Sequence, residues 1–213
     1  MMTPIFATGY LPPIAYFAKL MQFDEVLVEQ METFPKQTYR NRAVIATANG
    51  LLPLIVPAVR TDGNHTMTRD MGISYVENWP IKHLRAIEAA YSASPYYLYY
   101  KDEFEAILAQ KHERLIDLNS ELLQYLLKKL KIDCRISLTD DFAEPGSREL
   151  DFRRDFSVKR IYSTEQFPEY DQVFAAKMPF QPNLSIIDLL FNLGPDAKRY
   201  LKGIAQLATA TTR

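Results

Sequence analysis

Short apolar runs cut by Gly, Pro and Asn open this chain, and longer stretches with an apolar residue every three or four positions fill its middle. The first run, Pro4 to Thr8, is bounded by Gly9 and predicts a buried strand. Tyr10 to Pro13 reads as a turn, because two prolines fix φ there. Ile14 to Phe23 follows as a short helix, with Tyr16, Phe17 and Leu20 on one face and Lys19 and Gln22 off it. Glu25 to Glu29 is a second strand, so the chain opens strand, turn, helix, strand, the start of a βαβ unit.

Ala43 to Thr47 and Leu51 to Val56 are apolar runs joined through Asn49-Gly50, a hairpin signal. Phe34 to Arg42 and Arg60 to Arg69 are polar and read as loops, and Ile73 to Val76 as a short strand. Asn78 is placed to cap a helix with Pro80 in its first turn and Leu84, Ile87 and Tyr91 on one face. Ser94-Pro95 breaks the chain. A helical region then runs from Tyr97 to Lys131, interrupted near Lys111 to Arg114, where the apolar pattern fails. Leu115, Leu118, Leu122, Leu126 and Leu130 form its core stripe. Ile132 to Leu138 predicts a strand, and Asp140 to Arg154, with Pro145-Gly146, an exposed loop. A last helix begins at Ser185 with Ile186, Leu189, Leu190 and Leu193 on its apolar face, and Gly194-Pro195 stops it. The expected fold is α/β: a β-sheet core with flanking helices, the strand-turn-helix-strand opening and a helical middle region. The expected domain covers residues 1–205, with 206–213 as a disordered tail.

Composition changes this picture little. Of 213 residues, 47% are hydrophobic and 24% charged, an ordinary globular mixture able to bury a core. With 25 basic and 26 acidic side chains the formal charge is -1, and the basic excess of a nucleic-acid binder is absent. One cysteine, Cys134, excludes an internal disulfide and reads as a buried strand thiol; with three scattered histidines it is too little for a zinc site. The first residues do not read as a signal peptide, and no apolar window is long enough for a membrane span. A cytoplasmic location is the expectation.

Common catalytic fingerprints are missing: no Gly-rich phosphate loop, no nucleophile elbow and no paired-His zinc helix occurs. Four clusters carry what chemistry there is. Tyr10-Leu11-Pro12-Pro13 follows the first strand, where open α/β sheets bind ligands. In Tyr39-Arg40-Asn41-Arg42 an extended backbone would place both arginines on one side, with forks suited to phosphate or carboxylate. Trp79 and His83 share a helix face, where a neutral His83 near the helix N-terminus could act as a base or pack on Trp79 as a core group. Ser185, Asp188 and Asn192 lie on one stripe of an otherwise apolar helix, with Ser185 and Asp188 spaced as a capping box. His65 and His112 read as surface groups.

Tyr10 to Pro13, Tyr39 to Arg42, Leu54 to Pro57, Trp79 to His83 and Leu184 to Asn192, in this order, resemble the WbqC-like family over residues 3 to 200. Phe6, Ala7, Thr8 and Pro13 stand where its members typically have His, Gln, Pro and Trp, which marks a divergent branch. The resemblance implies surface-polysaccharide or O-antigen biosynthesis and transfer of an amino-acyl or similar group to a sugar; it names no cofactor. On this reading His83 and Asp188 are catalytic, as base and as the group that orients a partner. Tyr10, Tyr39, Arg40, Asn41, Arg42, Trp79, Ser185 and Asn192 bind a small anionic or sugar-linked substrate. A non-catalytic binding or scaffold protein of a glycan-assembly cluster is the alternative. A nucleotidyltransferase-like site lacks its His-x-Gly-His pattern.

Overall fold

A computed structural model describes residues 3–144, 150–160, 162 and 164–210. The fold is α/β. Strands β1 (Ile5–Ala7) and β2 (Glu25–Glu29) are parallel and joined by helix α1 (Ile14–Leu20), and β7 (Arg135–Leu138) adds in parallel on the far side of β2. The sheet continues past β1: the Ile5 N–H donates to Leu150, and the Phe152 N–H donates to Ile5. Four neighbouring segments therefore run the same way, and their carboxyl ends share one edge. β1 is buried throughout, as a parallel strand covered on both faces must be.

β3 (Arg42–Thr47) and β4 (Gly50–Ile55) form the expected hairpin. Its two-residue turn is Ala48-Asn49, and Gly50 at φ +109° supplies the left-handed backbone that other residues resist. β5 (Ala58–Val59) and β6 (Gly72–Ile73) make a two-residue ladder. β6 is thus shorter than the run to Val76 implied, because the Asn78 N–H turns back to Tyr75 and leaves Val76 93% exposed.

Helices α2 (Trp79–Tyr91), α3 (Tyr97–Ala109) and α4 (Leu115–Leu130) fill the middle, with the interruption where the apolar pattern fails. The α4 leucine stripe is buried at all five positions. On α2 the buried face runs through Trp79, His83, Ile87 and Tyr91, with Leu84 at its flank. Asn78 sits before α2 in left-handed backbone and its side chain makes no capping bond, so the expected cap is positional only. Helices α5 (Ile186–Leu193) and α6 (Ala197–Ala210) close the fold. α6 was not expected, and it carries the backbone through Ala210; the end of the expected tail, 211–213, lies outside the described residues, as does Pro145-Gly146.

Three further expectations change. Cys134 precedes β7 and is half-buried; its thiol is pushed up to about 11, first by burial, then by Asp24, Asp133 and Glu25. His112 is no plain surface group: its ring is held 2.6 Å from Glu121 at the α3–α4 junction. The stretch 140–154 is not simply exposed, since Ala143 and Arg153 are buried. Among the described residues no helix is long and apolar enough to cross a membrane.

Candidate functional site

The carboxyl edge of the sheet gathers most of the buried charge. Glu29, the last residue of β2, is fully buried. It accepts from the Met31 N–H at 2.7 Å, Thr139 Oγ1 at 2.8 Å and Arg153 Nη1 at 3.1 Å. Arg153 follows the strand-like segment beside β1 and also grips Asp151 with Nε and Nη2. Beside it Arg40, 6% exposed, donates from Nε and Nη2 to Glu32. A buried charge is tolerable only when paired and hydrogen-bonded, and both arginines meet that condition.

Two spaces on this edge share Arg40, Arg153 and Phe156 in their linings. A cavity of about 440 Å³ is lined by Glu32, Arg40, Phe142, Arg153, Arg154 and Phe156 among others. Behind it a void of about 10 Å³, about one water in size, is bordered by Thr8, Gly9, Tyr39, Arg40 and Arg153. Among the described residues Arg40 Nη1 has no hydrogen-bond partner, and exposed Arg154 makes no ion pair. The walls are strained. Gln37, on the cavity, has φ +57°, and Leu11, in the turn beside the inner void, has φ +44°. Such backbone costs of order 1–3 kcal/mol and clusters at functional sites.

The structure brings the sequence-predicted residues together in three groups. Arg40 and Tyr39 line the spaces just described, and burial pushes the Tyr39 phenol up to about 12. Asn41 donates to the carbonyl of Val56, the residue after β4, at 3.0 Å. Arg42 opens β3, half-buried, outside both spaces and without an ion pair among the described residues.

A second group is Tyr10, Trp79 and His83. The Tyr10 hydroxyl lies 2.9 Å from His83 Nδ1, and Trp79 packs edge-on against both rings. The Ile55 carbonyl favours a proton on the imidazole, and with that proton on the other ring nitrogen Nδ1 accepts from the Tyr10 hydroxyl. Burial pushes the imidazole down to about 4, against a small upward pull from that carbonyl. This pair fixes the first turn to α2 and to β4. The same turn is held by the Tyr10 N–H on Tyr39 and supplies Gly9 and Pro12 to the inner void.

The third group surrounds Asp188, which is fully buried. Its carboxylate accepts from Tyr170 at 2.5 Å, Tyr91 at 2.9 Å, Gln172 at 3.2 Å and Asn192 at 3.4 Å. Burial raises its pKa, and those donors partly offset the rise. The expected capping box does not form. The Ser185 N–H is taken by Val44 of β3, the Ser185 hydroxyl donates to Leu11 at 2.9 Å, and Asp188 faces the tyrosines. α2 spans the second and third groups, since His83 and Tyr91 share its buried face. Neither group lines the two spaces at the sheet edge.

Sequence reading missed Glu29, Glu32, Arg153, Tyr91 and Tyr170. Glu29 carried a usable signal: an acidic residue ending a strand that reads as buried, at the edge where α/β sheets bind ligands.

The profile of the WbqC-like protein family matches residues 8–164 and 151–200. The chain is 27% identical to "Uncharacterized protein Rv1507c" of Mycobacterium tuberculosis over 93% of its own length and 96% of that protein's. No solved structure matches.

Proposed function

The chain belongs to the WbqC-like protein family, and from that premise we propose that it acts in surface-polysaccharide assembly as a transferase on an anionic, sugar-linked precursor. The observation that carries this reading is the cavity at the carboxyl edge of the parallel segments, lined by three arginines. Its volume suits a small ligand. Arg40 has unfilled donors but is locked in place by Glu32, and a guanidinium fixed in this way binds phosphate or carboxylate with little ordering cost. Arg154 adds charge at the mouth.

On this reading the second group positions rather than reacts. Both nitrogens of His83 are engaged, so a base role would require breaking the Tyr10 bond; intact, the pair braces the turn that walls the inner void. Asp188, Asn192 and Ser185 are taken up by internal hydrogen bonds, Ser185 holding Leu11 of the first turn, and Arg42 lies outside both spaces. A second reading, a binding protein without catalysis, is favoured by Phe6. At the position of the family's usual His it is fully buried among Tyr16, Phe23, Phe152 and Phe156, where no polar chemistry is at hand.

Thermal melting with glucose, glucose 6-phosphate and uridine diphosphate glucose tests the binding reading. A ligand of the native state at a hundred times its Kd stabilises it by about 2.7 kcal/mol. The phosphorylated compounds should raise Tm in the wild type and in Arg42→Lys, and much less in Arg154→Gln. Equal responses in wild type and Arg154→Gln, or loss in Arg42→Lys alone, would move the site away from this cavity.

A further inference from the structure

Glu32 is the one carboxylate among the described lining residues of the larger cavity. Its side chain is 16% exposed, and Arg40 donates to it from Nε at 2.8 Å and Nη2 at 2.5 Å. Both bonds end on Oε1. Oε2 takes no hydrogen bond from a described residue and is not among the sealed polar atoms, and Glu32 lines the cavity. A carboxylate oxygen held still, desolvated on most sides and left unpaired is an acceptor waiting for a donor.

The surroundings select that donor. Thr33, Thr38 and Ser157 are hydroxyl residues of the cavity lining, and Phe142 and Phe156 are aromatic ones. Arg40 already gives Glu32 its cationic partner, and Arg154, without an ion pair among the described residues, opposes a second cation such as an ammonium group. A neutral hydroxyl meets no such opposition. A compact ring with hydroxyls around its edge and C–H groups on its face matches both kinds of wall.

We infer that Glu32 is a specificity-determining residue: its Oε2 accepts a hydroxyl of a sugar ring whose phosphate Arg40 and Arg154 hold. The inference rests on the reading of this cavity as the ligand site. Arg40 acts twice, as anion donor and as the group that fixes which oxygen of Glu32 faces the ligand.

Isothermal titration calorimetry with glucose 6-phosphate and with n-butyl phosphate, which has no hydroxyls, tests it on wild type and Glu32→Gln. In Glu32→Gln the Arg40 donors hold the amide oxygen, so the amide nitrogen, a donor, replaces the acceptor in the cavity. The wild type should bind the sugar phosphate roughly tenfold or more tightly than butyl phosphate, the worth of a hydrogen bond to a charged group. Glu32→Gln should bring the ratio near one; butyl phosphate, which makes no bond to Oε2, is the reference within each protein, and its own affinity rises as the carboxylate charge beside Arg40 is lost. An unchanged ratio in the variant, or no preference in the wild type, overturns the role of Glu32 while the cavity reading stands. If neither phosphate binds the wild type, the cavity reading itself fails and the inference with it. Should Glu32→Gln not fold, Glu32→Asp, which withdraws the carboxylate by one methylene, reads the same ratio.

Discussion

At the residue scale, the buried polar side chains divide by what satisfies them. Glu29 and Arg153 satisfy each other, Asp188 is satisfied by neutral hydroxyls and amides, and His83 by one hydroxyl and one carbonyl. Arg40 and Glu32 keep valences that face a cavity. That contrast, rather than residue type, is the basis of the proposed ligand site. It also makes His83 a stability group with a defined pH signature. Its native pKa is near 4, while an unfolded histidine titrates near 6.5. Between those values the unfolded chain binds a proton that the native state does not, so stability falls as pH drops through this window and is complete above about 6.5. The shift is worth on the order of 3 kcal/mol. Urea unfolding should show wild type losing stability between pH 7 and 4.5 relative to His83→Gln, which should itself be about 1–3 kcal/mol less stable at pH 7.5. Parallel pH profiles for the two proteins would show that His83 is exposed and free to titrate.

At the element scale, the connections decide what the helices can do. α5 ends at Gly194, whose φ is +51°, and a Cβ there would lie 2.5 Å from the Tyr96 ring. The Tyr96 N–H in turn donates to Phe191 of α5. Gly194→Ala would therefore meet both a left-handed backbone penalty of about 1–2 kcal/mol and an aromatic ring that must move. The variant should melt well below wild type in a calorimetric scan; an unchanged Tm would mean that α5 ends differently. The Gly194-Pro195 stop, the α4 stripe, the hairpin and the βαβ opening were legible because each follows from local backbone preference or periodicity. The strand-like pairing of 150–152 with β1 was not legible, because it depends on a partner 146 residues away rather than on its own charged sequence. Asn78 and Ser185 had the residue type of caps, yet tertiary hydrogen bonds and left-handed backbone overrode the local option.

At the scale of the whole molecule, four parallel segments end on one edge, and the loops after them supply arginines to a single cavity. There Arg40 and Arg153 are paired with Glu32, Glu29 and Asp151, and Arg154 is the arginine without an ion pair among the described residues. Tyr39 and Arg40 were legible as members of that place; Glu32 and Arg153 were not, because only the fold carries them to it. The Tyr10–His83 pair braces the turn that borders the inner void, and neither that pair nor the Asp188 network lines the larger cavity. The most direct measurement is an NMR titration with glucose 6-phosphate that follows arginine Nε–H and histidine ring signals together. Saturable shifts at Arg40, Arg153 and Arg154, with His83 little changed, are the predicted result. Shifts led by the His83 ring, with the cavity arginines still, would place the ligand at the first turn and α2 and contradict the assignment of the cavity.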